Sequence, residues 1–197
     1  MKSIIREALI LFAITAVAGV LLAVVNEVTK EPIEQQKVLA VENACREVFP
    51  EAENFVPMEL PADADAALLA DYPKDSVEAV YSAEDADGNA LGVVLNMCSK
   101  EGYGGTIRFG MGISEDGGLK GVSILETSET PGLGLQAADV LAPQFKDRKA
   151  ESFVYVKGGG ASAENEVDAI SSATITTKAF VNGVNAGLEF YRENYSK

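Results

Sequence analysis

The chain has 197 residues, a formal net charge of −14, no histidine and two cysteines. Without histidine it cannot form a Ser-His-Asp triad, a histidine-containing zinc site or a histidyl-linked flavin. Two distant cysteines cannot hold an iron–sulfur cluster or a CxxC redox centre. Any redox role therefore requires a bound organic cofactor. The acidic charge argues against binding to nucleic acid or to an anionic membrane surface.

An uncharged apolar segment lies near the N-terminus. Its eighteen residues, Ala8 to Val25, span roughly 27 Å as an α-helix, close to the hydrocarbon thickness of a bilayer. Lys2 and Arg6 precede it, and the positive-inside bias then leaves the N-terminus in the cytoplasm and the later residues outside. A cleavable signal peptide is the alternative, since Ala16-Val-Ala18 has the form of a cleavage site. The apolar run continues beyond that site, which favours an uncleaved anchor in the cell membrane.

The next segment has the pattern of a juxtamembrane helix. Thr29-Lys-Glu-Pro32 has the form of a helix start, and apolar spacing continues to about Val48. Cys45 lies on the apolar face, which indicates a packed thiol. Residues 51–73 are rich in Ala, Asp and Pro and have no clear period. We expect an irregular connection there, with one short helix.

Strand patterns dominate the middle of the chain. They cover Val77 to Ser82, Ala90 to Met97, Thr106 to Ile113 and Leu119 to Leu125. The glycine-containing segments 85–89 and 114–118 lie between paired strands and supply the positive φ of tight turns, which predicts a four-stranded antiparallel meander. Cys98 ends the second strand; a disulfide to Cys45 and two free thiols are equally compatible with the sequence.

Two glycine-rich stretches leave this predicted sheet. They are Gly102-Tyr-Gly-Gly105 and Ser128-Glu-Thr-Pro-Gly-Leu-Gly134. Glycine lets backbone approach a flat ligand closely, although Pro131-Gly132 is also a strong turn dipeptide in any protein. As a ligand site the stretches would provide apolar contact from Tyr103 and Leu133, polar contact from Glu129 and Thr130, and close backbone approach at Gly104, Gly132 and Gly134.

A hydroxyl-rich segment, Asp168-Ala-Ile-Ser-Ser-Ala-Thr174-Ile-Thr-Thr177, precedes the last helical pattern. From Phe180 to Tyr191 the apolar residues recur at steps of four, four and three, which places the hydroxyls at a helix N-terminus. Such an end stabilises a phosphate because its backbone N–H groups are unpaired. Serine and threonine are also ordinary N-caps, so capping is the simpler alternative.

These patterns predict an α+β fold, with an antiparallel sheet and packed helices behind one N-terminal transmembrane helix. A helix from Gln136 to Leu141 and a short strand from Phe153 to Val156 complete the expected elements. The predicted division is a cytoplasmic N-terminus and anchor over residues 1–28, a juxtamembrane helix and connection over 29–75, and a C-terminal domain over 76–197.

Four features of the chain, in this order and spacing, are the anchor, Gly102-Tyr-Gly-Gly105, Glu129-Thr-Pro-Gly-Leu-Gly134 and Asp168-x-x-Ser-Ser-Ala-Thr174. Together they resemble the FMN-carrying G subunit of Rnf-type electron transport complexes. The resemblance covers nearly the whole chain. It implies that residues 76–197 are an FMN-binding domain and that FMN is joined through its phosphate to Thr174 by a flavin transferase that uses FAD. Asp168, Ser171 and Ala173 match the surrounding motif, while Ser172 stands where glycine is commoner and Thr127 where many relatives carry histidine.

The resemblance further implies a membrane-anchored subunit that relays electrons inside a complex moving them between ferredoxin and NAD while pumping Na⁺ or H⁺. Its expected partners are the other membrane, iron–sulfur and flavin subunits, with its C-terminal domain outside the cell membrane. Ser172 and Thr177 belong to the expected FMN contacts. Two alternatives stay open: the similar C subunit of sodium-translocating NADH:quinone reductase, and an anchored, non-redox extracytoplasmic binding or assembly module.

Overall fold

The computed structural model describes residues 2–61 and 71–196. The chain divides into two compact units, Met1–Ala40 and Val41–Lys197. The predicted division at residues 28 and 75 stays a prediction. Within the connection over residues 51–73, where one short helix was expected, residues 62–70 lie outside the described residues.

Helix α1 runs without interruption over Lys2–Val48. The predicted helix start at Thr29 is therefore wrong. Thr29 Oγ1 donates a hydrogen bond of 3.3 Å to the Asn26 carbonyl one turn earlier, so it bonds back into the helix instead of capping a new one. Pro32 lies inside α1, where it removes one backbone donor without ending the helix. Side chains from Ile4 to Leu39 are exposed, and α1 is long and apolar enough to cross a membrane.

Five strands form one antiparallel sheet in sequence order. They are β1 (Asn54–Met58), β2 (Asp75–Glu84), β3 (Ala90–Ser99), β4 (Ile107–Ser114) and β5 (Leu119–Thr127). The predicted α+β class and the four-stranded meander are confirmed as β2 to β5. Strand β1 was expected to be irregular; it pairs with β2 through Asn54 opposite Glu84 and Met58 opposite Val80. Four of its five side chains are exposed, so it carries no clear alternating pattern.

Helix α2, Thr174–Asn194, packs on one face of the sheet. A Cβ on Gly183 would lie 2.9 Å from the Phe109 ring, and one on Gly187 would overlap the Met111 sulfur. The Phe109 and Phe180 ring centroids are 4.9 Å apart. The two glycines thus let α2 approach β4 closely, which fixes where its N-terminus lies.

The other face of the sheet is covered by the last residues of α1 within the second unit. Cys45, Val48 and Phe49 are buried there with Ala83 and Val94 of the sheet. Burial raises the pKa of the Cys45 thiol to about 11, as suits the packed thiol predicted from its position. Both cysteines are buried and free, which settles the alternative left open by the sequence.

The segment between β5 and α2 contains short, tight elements. The predicted helix from Gln136 is a 3₁₀ turn over Gly134–Gln136, a π turn over Ala137–Leu141 and a second 3₁₀ turn over Ala142–Phe145. The parallel strands β6 (Val154–Val156) and β7 (Glu166–Asp168) follow, and β7 was not predicted. Gln144 bonds both the backbone N–H and the carbonyl of Asp168, at 2.7 and 3.1 Å, which fixes the approach to α2.

Candidate functional site

A cleft of about 490 Å³ lies at the N-terminus of α2. Residues 172–176 line it from the start of that helix, together with Tyr103 from the loop after β3. The loop after β5 contributes Glu129, Thr130, Leu133 and Gly134. The fold therefore brings together the two glycine-rich stretches and the hydroxyl-rich segment that are separated in the sequence.

Thr174 is the first residue of α2 and is half-buried on the cleft wall. Its hydroxyl makes no hydrogen bond to any residue that the structure describes. The residue before it, Ala173, is the N-cap and makes no side-chain capping bond. The simple capping interpretation of this segment is therefore wrong, and the hydroxyl of Thr174 is available for chemistry at the positive end of the helix dipole.

The two later threonines of the first turn differ from Thr174. Thr176 lines the cleft but is 2 % exposed, and its Oγ1 donates a hydrogen bond of 2.8 Å to Glu129 Oε2. Thr177 is fully buried; its Oγ1 accepts from the Ile170 N–H at 3.1 Å and donates to the Ala173 carbonyl at 3.0 Å. Thr177 does not line the cleft. Its hydroxyl ties the preceding loop to α2, and its expected contact with the cofactor stays a prediction.

Ser172 lies in the left-handed region, with φ of 62°. This conformation costs a side chain roughly 1–2 kcal/mol and favours glycine. Ser171 and Ser172 are both exposed, and only Ser172 of the two lines the cleft. The loop therefore turns sharply just before α2 and presents Thr174.

The loop after β5 is both a turn and a wall of the cleft. The Leu133 N–H bonds the Thr130 carbonyl at 3.1 Å, and Gly132 has a φ of 76°, as a type II turn with Pro131 at its second position requires. Leu133 is 39 % exposed on the cleft wall, and Tyr103 and Ile175, which also line the cleft, are exposed. The cleft thus has large apolar side chains in the same lining as Thr174.

Three other residues named from the sequence lie outside the cleft lining. Asp168 Oδ1 accepts a hydrogen bond of 2.9 Å from the Ala161 N–H and so stabilises the loop before β7. The Gly104 N–H donates to Glu129 Oε1 at 3.1 Å. Gly132 forms the turn described above, and a Cβ added to it would meet no atom within 4 Å. In this structure these three residues support the cleft walls, and their contact with a cofactor stays a prediction.

Two residues that shape the site, Ile175 and Gln144, were not singled out from the sequence. Ile175 matches neither the motif that ends at Thr174 nor a turn signal. Gln144, which holds Asp168, lies in a segment with no motif, and no sequence signal indicates its partner.

The fold and the cleft define an FMN-binding domain. Residues 102–189, which include both glycine-rich stretches and most of α2, match the family model described as FMN-binding domain. Residues 1–48, which include all of α1, match the model described as RnfG N-terminal region. The chain belongs to the family of G subunits of ion-translocating ferredoxin:NAD(+) oxidoreductase complexes.

Two relatives cover most of the chain. It is 37% identical to the G subunit of the Na(+)-translocating ferredoxin:NAD(+) oxidoreductase complex of Acetobacterium woodii, over 100% of this chain and 95% of that protein. It is 32% identical to the G subunit of the proton-translocating ferredoxin:NAD(+) oxidoreductase complex of Clostridium ljungdahlii, over 88% and 83%. These likenesses confirm the resemblance found from the motifs.

A solved structure shares the fold. The crystal structure of NqrC from Shewanella oneidensis matches with a TM-score of 0.53 and 21% identity, over 75% of this chain and 84% of that one. At this identity the likeness concerns the fold alone. The alternative that the chain is a C subunit of sodium-translocating NADH:quinone reductase is weaker than membership of the G subunits. The two relatives described above, which match most of the chain, are G subunits.

Proposed function

We propose that this chain carries FMN as a phosphoester on Thr174 and relays electrons within an ion-translocating ferredoxin:NAD oxidoreductase complex. The observation that carries the proposal is the contrast among the hydroxyls of the first turn of α2. Thr174 faces the cleft without a hydrogen bond to the described residues, whereas the Thr176 and Thr177 hydroxyls are both engaged.

The cleft fits the group. Its volume of about 490 Å³ falls within the usual range for cofactor sites, roughly 300–1,000 Å³. The side chains of Tyr103, Leu133 and Ile175 provide apolar surface for an aromatic ring. The N-terminus of α2 provides unpaired backbone N–H groups and the positive end of the helix dipole for a phosphate. The apolar surface and the phosphate site lie at the same cleft.

Attachment at Thr174 is a phosphoryl transfer. The Thr174 hydroxyl loses its proton to the transferase or to solvent, and Oγ1 forms a bond to the phosphorus of the FMN half of FAD. The P–O bond between the two phosphates of FAD breaks, and AMP leaves. The product keeps one negative charge, which the N-terminus of α2 stabilises. When bound, FMN supplies the electron-accepting and electron-donating chemistry, and the chain positions it.

We also propose how the subunit is oriented in the membrane and which proteins it contacts. Anchoring through Ala8 to Val25 behind Lys2 and Arg6 supports a single pass with the FMN-binding domain outside the cell membrane. The partners are the other membrane, iron–sulfur and flavin subunits of the complex, and a flavin transferase acts during maturation. The coupling ion is left open, because relatives at 37% and 32% identity are named for Na(+) and for protons.

The proposal is tested by making the full chain together with the transferase and measuring peptide masses. We expect one peptide, containing Thr174, to carry the mass of FMN less one water. Under ultraviolet light the protein should fluoresce on a denaturing gel, since the ester survives unfolding. A colourless full chain with an unmodified Thr174 peptide, made beside a transferase that modifies a known substrate, would contradict the proposal.

A further inference from the structure

We infer that Glu129 is a positioning residue, which holds the two glycine-rich loops against the first turn of α2 and so sets the shape of the cleft. The effect of Glu129 on a flavin rests on the proposed function, because it requires that the cleft holds FMN beside Thr174. The sequence suggested that Glu129 offers a polar contact to the ligand. That contact stays a prediction, and in the structure the carboxylate bonds two other parts of the protein.

The contacts of Glu129 join three segments distant in the chain. Glu129 is 5 % exposed although it lines the cleft. Its Oε1 accepts a hydrogen bond of 3.1 Å from the Gly104 N–H, and its Oε2 accepts one of 2.8 Å from Thr176 Oγ1. No salt bridge reaches it from the residues that the structure describes. Neutral donors therefore satisfy this buried carboxylate, and losing either leaves an unpaired buried oxygen.

The glycines of both loops make room for this carboxylate. A Cβ on Gly102 would lie 2.6 Å from Glu129 Oε1, and one on Gly134 would lie 2.6 Å from Thr176 Oγ1 and overlap Glu129 Oε2. A Cβ on Gly104 would overlap the Ser128 carbonyl oxygen. These glycines let the two loops close on Glu129 and on each other, which gives the glycine-rich motifs a reason independent of any ligand.

The connection determines how the cleft walls lie relative to the attachment point. Thr176 is in the same helical turn as Thr174, Tyr103 precedes Gly104, and Leu133 precedes Gly134. Glu129 thus bonds one residue that lines the cleft, Thr176, and one neighbour of a lining residue, Gly104. A site held by such supporting bonds keeps its geometry, whereas a site without them loosens. Glu129 therefore governs the environment of the ring and leaves the attachment itself to Thr174.

The first test uses the full chain made without transferase, so that no FMN is attached. Amide hydrogen exchange at Gly104 should be about tenfold faster or more in Glu129→Leu than in the unaltered protein, because the acceptor is lost. Glu129→Gln should keep protection, since its amide oxygen can accept from Gly104 and its NH₂ can donate to Thr176. Unchanged exchange in Glu129→Leu would overturn the inference without touching the proposed attachment at Thr174.

The second test uses the FMN-bearing chain. Thr176→Val removes the donated bond but keeps the branched shape, and we expect loss of most of the visible circular dichroism of FMN together with a shifted midpoint potential. Thr176→Ser restores the hydroxyl and should restore both. Asn185→Leu is the matched control, because it breaks the buried bonds to Phe153 at 2.7 and 2.9 Å on the far side of α2. It should lower stability without changing either flavin property.

The outcomes separate the two claims. FMN on Thr174 in every variant, with spectra and potential altered only in Glu129→Leu and Thr176→Val, supports the inference. FMN on Thr174 with the same spectra and potential in all variants overturns the inference and leaves the proposed function standing. An equal change in Asn185→Leu also overturns it, since general destabilisation would then account for the effect. If the unaltered chain carries no FMN, the proposed function is wrong, and the hydrogen-exchange experiment alone then decides the role of Glu129.

Discussion

Thr174 and Thr177 lie one turn apart on α2 and have opposite surroundings. Thr177 is fully buried, and its hydroxyl links the Ile170 N–H to the Ala173 carbonyl. Thr174 lines the cleft, and its hydroxyl makes no hydrogen bond to the described part of the chain. A threonine hydroxyl therefore serves folding at one position and has no such partner at the other.

This contrast predicts opposite effects of two alanine substitutions. Thr177→Ala leaves the buried Ile170 N–H without its acceptor, so the free energy of unfolding should fall by about 1–3 kcal/mol while FMN stays attached. Thr174→Ala removes no such bond, so stability should change by less than about 1 kcal/mol. Denaturant unfolding of both variants, made without FMN, measures the difference. Equal losses of stability would show that the Thr174 hydroxyl also has a structural partner.

Ser172 has a conformational cost that glycine would avoid. Because its φ is 62°, Ser172→Gly should raise the free energy of unfolding by up to about 1 kcal/mol, and Ser172→Val should lower it by more than that. Ser171→Gly is the control: Ser171 has no positive φ, and the change should only destabilise, by roughly 0.5–1 kcal/mol. Thermal unfolding compares the three. A Ser172→Gly protein as destabilised as Ser171→Gly would contradict a left-handed residue 172.

The second strand of the sheet begins with a buried acid. Asp75 is 5 % exposed, and burial raises its pKa from the ordinary value of 3.8 to about 6. As the pH rises, the unfolded chain loses the Asp75 proton at a lower pH than the folded protein does. The contribution of Asp75 to the free energy of unfolding is therefore greatest below about pH 4 and falls until about pH 6. The total loss is at most about 3 kcal/mol.

Asp75→Asn should remove that dependence. Urea unfolding from pH 4 to pH 7 should show the variant gaining stability relative to the unaltered protein as the pH rises. Asp85→Asn is the control: hydrogen bonds from Asn89 lower the pKa of the exposed Asp85 carboxyl below its ordinary value of 3.8, so Asp85 titrates below this pH range and the difference from the unaltered protein should stay nearly constant. A constant difference between Asp75→Asn and the unaltered protein across this range would show that Asp75 does not titrate there.

Removal of the anchor should be tolerated only if the end of α1 is kept. A chain beginning at Asn26 retains residues 41–48, whose Cys45 and Val48 cover one face of the sheet, and we expect a soluble folded protein. A chain beginning at Phe49 exposes that face, and each buried side chain of valine size contributes about 1.5–3 kcal/mol. Size-exclusion chromatography and thermal unfolding compare the two. Equal stability would contradict the packing of α1 on the sheet.

Local sequence patterns were enough to predict strands β2 to β5 and helix α2. The glycine turns at residues 85–89 and 114–118 set the register of β2 to β5, and steps of three and four defined α2. The order of the motifs along the chain was enough to indicate the family. Strand β1 could not be predicted from the sequence because nearly all its side chains are exposed. Strand β7 could not be predicted because three residues are too few to show a period.

Contacts over long separations could not be predicted. Glu129 bonds residues 25 and 47 positions away, and only the fold brings these together. The left-handed conformation of Ser172 was equally hidden, since serine does not signal positive φ as glycine does. Thr29 shows the converse error: its sequence resembles a cap, yet its hydroxyl bonds back into a continuous helix.

The most direct test of the central claim is the mass of the segment around Thr174 in four proteins made beside the transferase: the unaltered chain, Thr174→Ala, Thr176→Ala and Thr177→Ala. We expect the FMN mass increment in the unaltered chain and also in Thr176→Ala and Thr177→Ala. In the unaltered chain the Thr176 and Thr177 hydroxyls are buried and bonded within the protein, so we do not expect either to be the attachment point. Thr174→Ala should carry none and should still fold. An FMN-bearing peptide from the Thr174→Ala protein, or loss of FMN only in Thr176→Ala, would contradict the assignment.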